Sequence, residues 1–152
     1  YLAAESVPNS YSETSEHLID HPAVLGALAS LPHNNYVDLE VMNRTFDLVD
    51  KVWTWNHTWG WDFPLEAMAA TRLNRPEDAI KGLLRDEITN TYLPSGHNYQ
   101  NERLTLYLPG NGGILSAVAL MCAGYDGNTI ENPGFPKDGT WNVKWEGLQP
   151  MP

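Results

Sequence analysis

Trp59-Gly60-Trp61-Asp62-Phe63-Pro64, continued by Leu65-Glu66-Ala67-Met68-Ala69-Ala70-Thr71-Arg72-Leu73, carries the clearest helix-start signal in the chain. An aspartate two positions ahead of a proline marks a helix start. The carboxylate suits the positive end of the helix, and proline's missing N–H costs nothing in the first turn. Leu65, Met68, Ala69 and Leu73 then recur at helical spacing, so a helix is predicted over residues 64–73. The run before it, Trp53-Thr54-Trp55-Asn56-His57-Thr58-Trp59-Gly60-Trp61, is too aromatic for a casual linker.

On both sides of this stretch the chain reads as helical hairpins. Residues 21–31 form an apolar helix with Asp20 as N-cap and Pro22 in its first turn, and Pro32 stops it. Asp38 caps a second helix, over residues 38–53, where Val41, Met42, Phe46, Val49 and Val52 keep helical spacing. Arg75-Pro76-Glu77 turns the chain into a fourth helix, over 77–88, carrying Ala79, Ile80, Leu83 and Leu84. Residues 89–110 are long and irregular, as functional loops often are, with a short strand predicted over 104–108. Gly112 and Gly113 lead into a fifth helix over 114–122, with Gly124 as its stop. Beyond it, Trp141, Val143 and Trp145 alternate with Asn142, Lys144 and Glu146, which predicts a short strand within 140–148. The expected organisation is a loop or extended entry over 1–19, hairpins over 20–127, and a tail over 128–152 holding that strand. Short loops at one end of the hairpins and long aromatic, polar ones at the other point to a functional face at one end.

Composition narrows the function. The chain has 152 residues, 42% of them hydrophobic and only 18% charged, so it can bury a core. A net charge of −10 repels nucleic acid and anionic membrane surfaces and is indifferent to a neutral ligand. No apolar run is long enough to span a bilayer. The 6 Trp and 7 Tyr, against 3 Phe, favour rings with a flat apolar face and a polar edge, the shape on which a pyranose stacks. Cys122 is the only cysteine, so no internal disulfide forms, and its apolar helix suggests a buried thiol. The opening Tyr1 suggests a processed product or a piece of a longer protein.

Three clusters can carry chemistry. In the first, Asp62 is a cap that can also accept sugar hydroxyls, because a carboxylate has two oxygens, and His57, Trp59 and Trp61 stand beside it. In the second, His97 and Asn98 offer hydrogen bonds to hydroxyls, alongside Tyr99 and Gln100, and Glu102 is a candidate general acid or base. Glycoside hydrolysis needs two carboxyl groups flanking the bond. Glu66, one turn after Asp62, is a further candidate, whereas Asp86 and Glu87 read as solvated surface. The third cluster, Pro109-Gly110-Asn111-Gly112-Gly113, lacks the Lys-Ser/Thr ending of a nucleotide loop and reads as close packing at a helix start, with Asn111 as a ligand contact. Of the five histidines, His21, His57 and His97 show no metal spacing, so neither metal nor cofactor is expected.

These residues resemble known families. Trp61-Asp62-Phe63-Pro64 resembles the motif that opens a late barrel helix in the trehalase family, where the Trp and Asp lie at the sugar subsite. Gly60-Trp61 through Thr71-Arg72-Leu73, followed by Pro109-Gly110-Asn111-Gly112-Gly113 and an alanine-rich helix, is similar to the end of the inverting alpha-L-fucosidase family. Asp20-His21-Pro22, Trp59-Gly60-Trp61-Asp62, Gly96-His97-Asn98-Tyr99 and Tyr107-Leu108-Pro109-Gly110-Asn111-Gly112-Gly113 look like the final section of uncharacterised bacterial glycosidases, a resemblance covering residues 20–127. Two departures limit what carries over. Pro109 stands where the fucosidase family has an aspartate of its base machinery, and Leu65 and Glu66 follow Pro64 where the trehalase motif has Asn and Trp.

The resemblance implies an all-α fold whose hairpins form part of a six-hairpin (α/α) toroid, and a glycoside hydrolase acting on an oligosaccharide or polysaccharide. It implies a general acid on earlier helices, so the remaining N-terminal part of the same enzyme is an expected partner beside the carbohydrate ligand. A periplasmic or secreted bacterial setting fits. Within that reading Asp62 and Glu102 are the catalytic candidates, and His57, Trp59, Trp61, His97, Asn98 and Asn111 the substrate-binding ones. The rival reading is a non-catalytic carbohydrate-binding or structural helical module.

Overall fold

The structure is a computed structural model and describes residues 20–32 and 34–152, so the entry segment expected over 1–19 lies outside the described residues. The fold is mainly helical. Among the described residues it has five α-helices and one two-stranded antiparallel sheet. The helices are α1 (Gly26–Ala29), α2 (Leu39–Val52), α3 (Asp62–Arg72), α4 (Pro76–Leu83) and α5 (Leu108–Ala123). Strands β1 (Thr91–Tyr92) and β2 (Asn98–Tyr99) pair Thr91 with Tyr99 and Tyr92 with Asn98.

Helix α3 is the axis of the molecule, since every one of its residues is buried. It packs against α1, α4 and α5. Small residues make this possible. Ala67, Ala69 and Ala70 have no exposed surface, and Gly82 of α4 sits so near that a Cβ there would lie 3.1 Å from Glu66 Oε2. On the α5 side, a Cβ at Gly113 would fall 2.7 Å from Pro64 Cγ. The helix ends where Asn74 takes φ 57°. Arg75 N–H then donates to Ala70 O (2.9 Å) and Asn74 N–H to Thr71 O (3.1 Å), which satisfies the last carbonyls. Arg75 closes the corner between α2 and α4. It pairs with Asp47 (2.7 Å) and Asp78 (2.6 Å) and lies 4.5 Å over the Phe46 ring.

Helix α2 forms as its sequence predicts. Asp38 accepts from Glu40 N–H (2.9 Å) and Val41 N–H (3.0 Å), and Val41, Met42, Thr45, Phe46 and Val49 face the core.

Several boundaries differ from expectation. The first helix is short, a 3₁₀ turn over Ala23–Leu25 running into α1; Pro22 occupies the N-cap position and no side chain caps it, so Asp20 does not serve there. Helix α4 stops at Leu83 rather than near 88, because the Asn90 amide donates to Leu83 O (3.0 Å) and Arg85 O (2.9 Å) and draws the chain away. Helix α5 starts at Leu108, six residues earlier than the glycines suggest, with Pro109 in its first turn. Gly110 and Gly113 lie inside it because neighbours press on them, not because the helix has yet to begin.

Both expected strands are absent as such. Over 104–108 there is one isolated bridge, Asn101 to Leu104, closing a turn in which Asn101 Oδ1 accepts from Arg103 N–H and Leu104 N–H (both 3.0 Å). In the tail, over 140–148, the expected alternation is not realised: Trp141 and Trp145 are both exposed, Val143 is half-buried, and no neighbouring strand presents an edge, so no ladder forms. Its alternate residues find separate partners. The Trp141 ring lies 5.3 Å from Phe135, the Trp145 N–H donates to Asn132 Oδ1 (2.7 Å), and Val143 packs on the core. The chain then returns to α5, where Met151 N–H donates to Gly124 O (3.0 Å), and Arg72 donates to Pro152 O (2.6 Å).

Candidate functional site

Asp62 is the first residue of α3, and its side chain has no exposed surface. Oδ2 accepts the backbone N–H of Trp59 at 2.7 Å. The same oxygen lies 2.9 Å from His21 Nδ1, with Oδ1 at 3.2 Å. The aspartate therefore caps backward onto the aromatic run, not forward onto its own helix, whose N-cap position is Trp61. Burial pushes the Asp62 carboxyl above the ordinary range, while the Trp59 and His21 bonds pull it back.

Around this dyad stand aromatic rings. His21 lies 4.7 Å from Trp61 and 6.1 Å from Trp59, both tilted. Trp59, 37% exposed, lies 5.4 Å from Tyr107. Burial, with the Asp62 charge behind it, raises the Tyr107 hydroxyl's pKa. Beyond the dyad, His21 Nε2 is 3.4 Å from the carboxylate of Asp20, which is 74% exposed. The result is a polar pair, His21 on buried Asp62, flanked by three half-exposed rings from two separate segments.

A second layer holds the Trp59–Gly60 backbone. Gln100 Oε1 accepts from Gly60 N–H (2.9 Å). Asn98 fills the space between Gly60 and Gly110, where a Cβ would fall 1.8 Å and 2.3 Å from its Oδ1. Its amide nitrogen donates to Thr89 O (3.0 Å) and Thr91 O (3.2 Å), and it has no exposed surface. Asn111 Oδ1 accepts from Asn98 N–H (2.9 Å) and its amide donates to Gly96 O (2.8 Å). Both asparagines thus tie the β1–β2 hairpin to the start of α5.

The residues singled out in the sequence divide accordingly. Asp62, Trp59 and Trp61 share one site. Asn98 and Asn111 are engaged with the backbone behind it. His97 is half-buried on the hairpin turn, with Nδ1 3.3 Å from Ser95 Oγ. His57 is exposed at the end of a 3₁₀ turn over Trp55–His57. Glu102 is exposed on the turn between Gln100 and Tyr107, the two loop residues that reach the Trp59–Gly60 wall. Glu66 is buried and faces inward to Arg85, whose Nη2 lies 2.5 Å from Oε1. Burial pushes its carboxyl up to about 7 against the pull of Arg85. Two site residues, His21 and Tyr107, are not among the sequence-predicted contacts. His21 lies 41 residues before Asp62, and the short Asp20-His21-Pro22 motif is the signal that points to it.

Among the described residues, no group of three or more His, Cys, Asp or Glu side chains is arranged to hold a metal ion, and no helix is long and apolar enough to cross a membrane. No family model, curated protein or solved structure matches the chain.

Proposed function

We propose that this chain is the C-terminal part of an (α/α)6 toroid glycoside hydrolase and that it contributes an aromatic wall of the sugar site. The observation that carries the reading is the rim of Trp59, Trp61 and Tyr107 beside the His21–Asp62 pair. Flat rings offer stacking to the apolar face of a pyranose, and polar groups among them offer hydrogen bonds to its hydroxyls. A net charge of −10 is indifferent to a neutral ligand. His57 and His97 would extend the polar rim from the flanking loops. Glu102, exposed and two residues from Gln100, is the proposed second carboxylate, and the general acid would come from helices outside this chain.

A face of α5 supports the idea of further helices. Leu108, Leu115 and Val118 are 64%, 73% and 38% exposed, and the helix carries no charged side chain. The remaining N-terminal part of the enzyme is the proposed cover.

Calorimetry of the full-length protein against neutral oligosaccharides of glucose, mannose, galactose and xylose tests the reading. Trp59→Ala and Trp61→Ala are each expected to weaken binding about tenfold, since a ring pair contributes roughly 0.5–1.5 kcal/mol beyond its buried area. Absence of binding to every sugar sinks the proposal. Binding without hydrolysis by the full-length protein would favour the non-catalytic module.

A further inference from the structure

We propose that His21, held by Asp62, is the polar side chain that meets the ligand, its Nε2 accepting a hydrogen bond from a sugar hydroxyl. The inference rests on the carbohydrate reading above and changes the part Asp62 plays in it. With no exposed surface, and with Oδ2 shared between Trp59 N–H at 2.7 Å and His21 Nδ1 at 2.9 Å, Asp62 is turned into the protein. It is a positioning residue that acts through the imidazole.

An ionised carboxylate only accepts, so the nitrogen facing it, Nδ1, is the one that carries the proton. That leaves Nε2 as the acceptor of the neutral ring, and the tautomer is set by the partner at the other end. His21 is 31% exposed, whereas Asp62 is wholly covered, so the ring is the part of the pair that solvent and ligand reach. Nε2 lies 3.4 Å from the carboxylate of Asp20, also an acceptor, but that contact is longer and its partner 74% exposed. The buried Asp62 contact at 2.9 Å therefore sets the tautomer, and a ligand hydroxyl that displaces Asp20 meets the Nε2 lone pair. Trp61 at 4.7 Å and Trp59 at 6.1 Å limit the tilt of the ring. A pyranose stacked on either tryptophan would bring its hydroxyl edge to Nε2.

Two measurements on the full-length protein decide the matter. Long-range ¹H–¹⁵N NMR of the imidazoles is expected to show His21 protonated at Nδ1 in its neutral form, and Asp62→Asn to abolish that preference. Calorimetry with the neutral trisaccharides that bind the wild type then compares two isosteres. His21→Asn keeps a donor near Nδ1 but deletes Nε2, and is expected to lose about tenfold or more in affinity with an unchanged unfolding midpoint. His21→Gln places an amide near Nε2 and is expected to recover part of the loss. An Nε2-protonated neutral ring in the wild type overturns the inference, as does a His21→Asn variant that binds like wild type. A wild type that binds no sugar sinks the carbohydrate reading itself, and this is seen before any substitution is compared. If Asp62→Asn fails to fold, the His21 pair decides alone.

Discussion

Asn98 shows how one buried side chain dictates its neighbours. Its amide fits only because Gly60 and Gly110 offer no Cβ, at 1.8 Å and 2.3 Å from Oδ1 respectively. Gly60→Ala is therefore expected to destabilise the fold by about 2–3 kcal/mol in urea unfolding, at the upper end for overpacking. In an Asn98→Ala background the same change should cost less than half as much, and equal costs in both backgrounds would show that the two positions are not coupled. Glu66 offers a second test at this scale. Its folded pKa, about 7, lies above the ordinary 4.5. The buried neutral form thus contributes stability that is fully present below about pH 4.5 and lost as pH rises through about 7. Thermal unfolding midpoints are expected to fall between pH 5 and pH 8, with a shallower fall for Glu66→Gln. An identical slope in the two proteins would contradict this.

Among the elements, helices α2 and α3 were legible and the strands were not, for one reason. An amphipathic or wholly apolar helix satisfies its own backbone, so a periodic stretch with a cap suffices to specify it. Asp38→Ala should cost about 1 kcal/mol by removing the acceptor for Glu40 and Val41 N–H. A change below a few tenths of a kcal/mol, read from the same urea curves, would show that the cap contributes little. A strand needs a partner edge. Alternation at Trp141, Val143 and Trp145 describes which side chains would share a face of a strand, and says nothing about whether another strand lies alongside. The pairing that forms, Thr91–Tyr92 with Asn98–Tyr99, is too short for any periodicity to announce.

At the level of the whole molecule, α3 is enclosed while α5 is covered on one side only. Leu120 and Met121 have no exposed surface, yet Leu115 is 73% exposed. Apolar area in that position favours association. The 152-residue chain is expected to self-associate in light scattering at high concentration, and Leu115→Glu to shift it toward monomer with little effect on the unfolding midpoint. A wild-type chain that stays monomeric and matches the variant would remove the argument for further helices packed on α5.

The mainly helical class, the central helix after Trp61-Asp62, the Asp38 cap and the aromatic excess are all legible from the chain alone, because each depends on local spacing or on composition. Tertiary structure alone decided what the polar residues do. Asn98, Asn111 and Asp62 carry groups equally suited to a ligand or to the backbone, and the choice turns on neighbours up to 41 residues away. Folding spends the asparagines on backbone groups, buries Asp62 beneath His21, and leaves the imidazole and three aromatic rings at the surface. A periodic pattern encodes which face of an element is buried; it does not encode which distant side chain that face will meet.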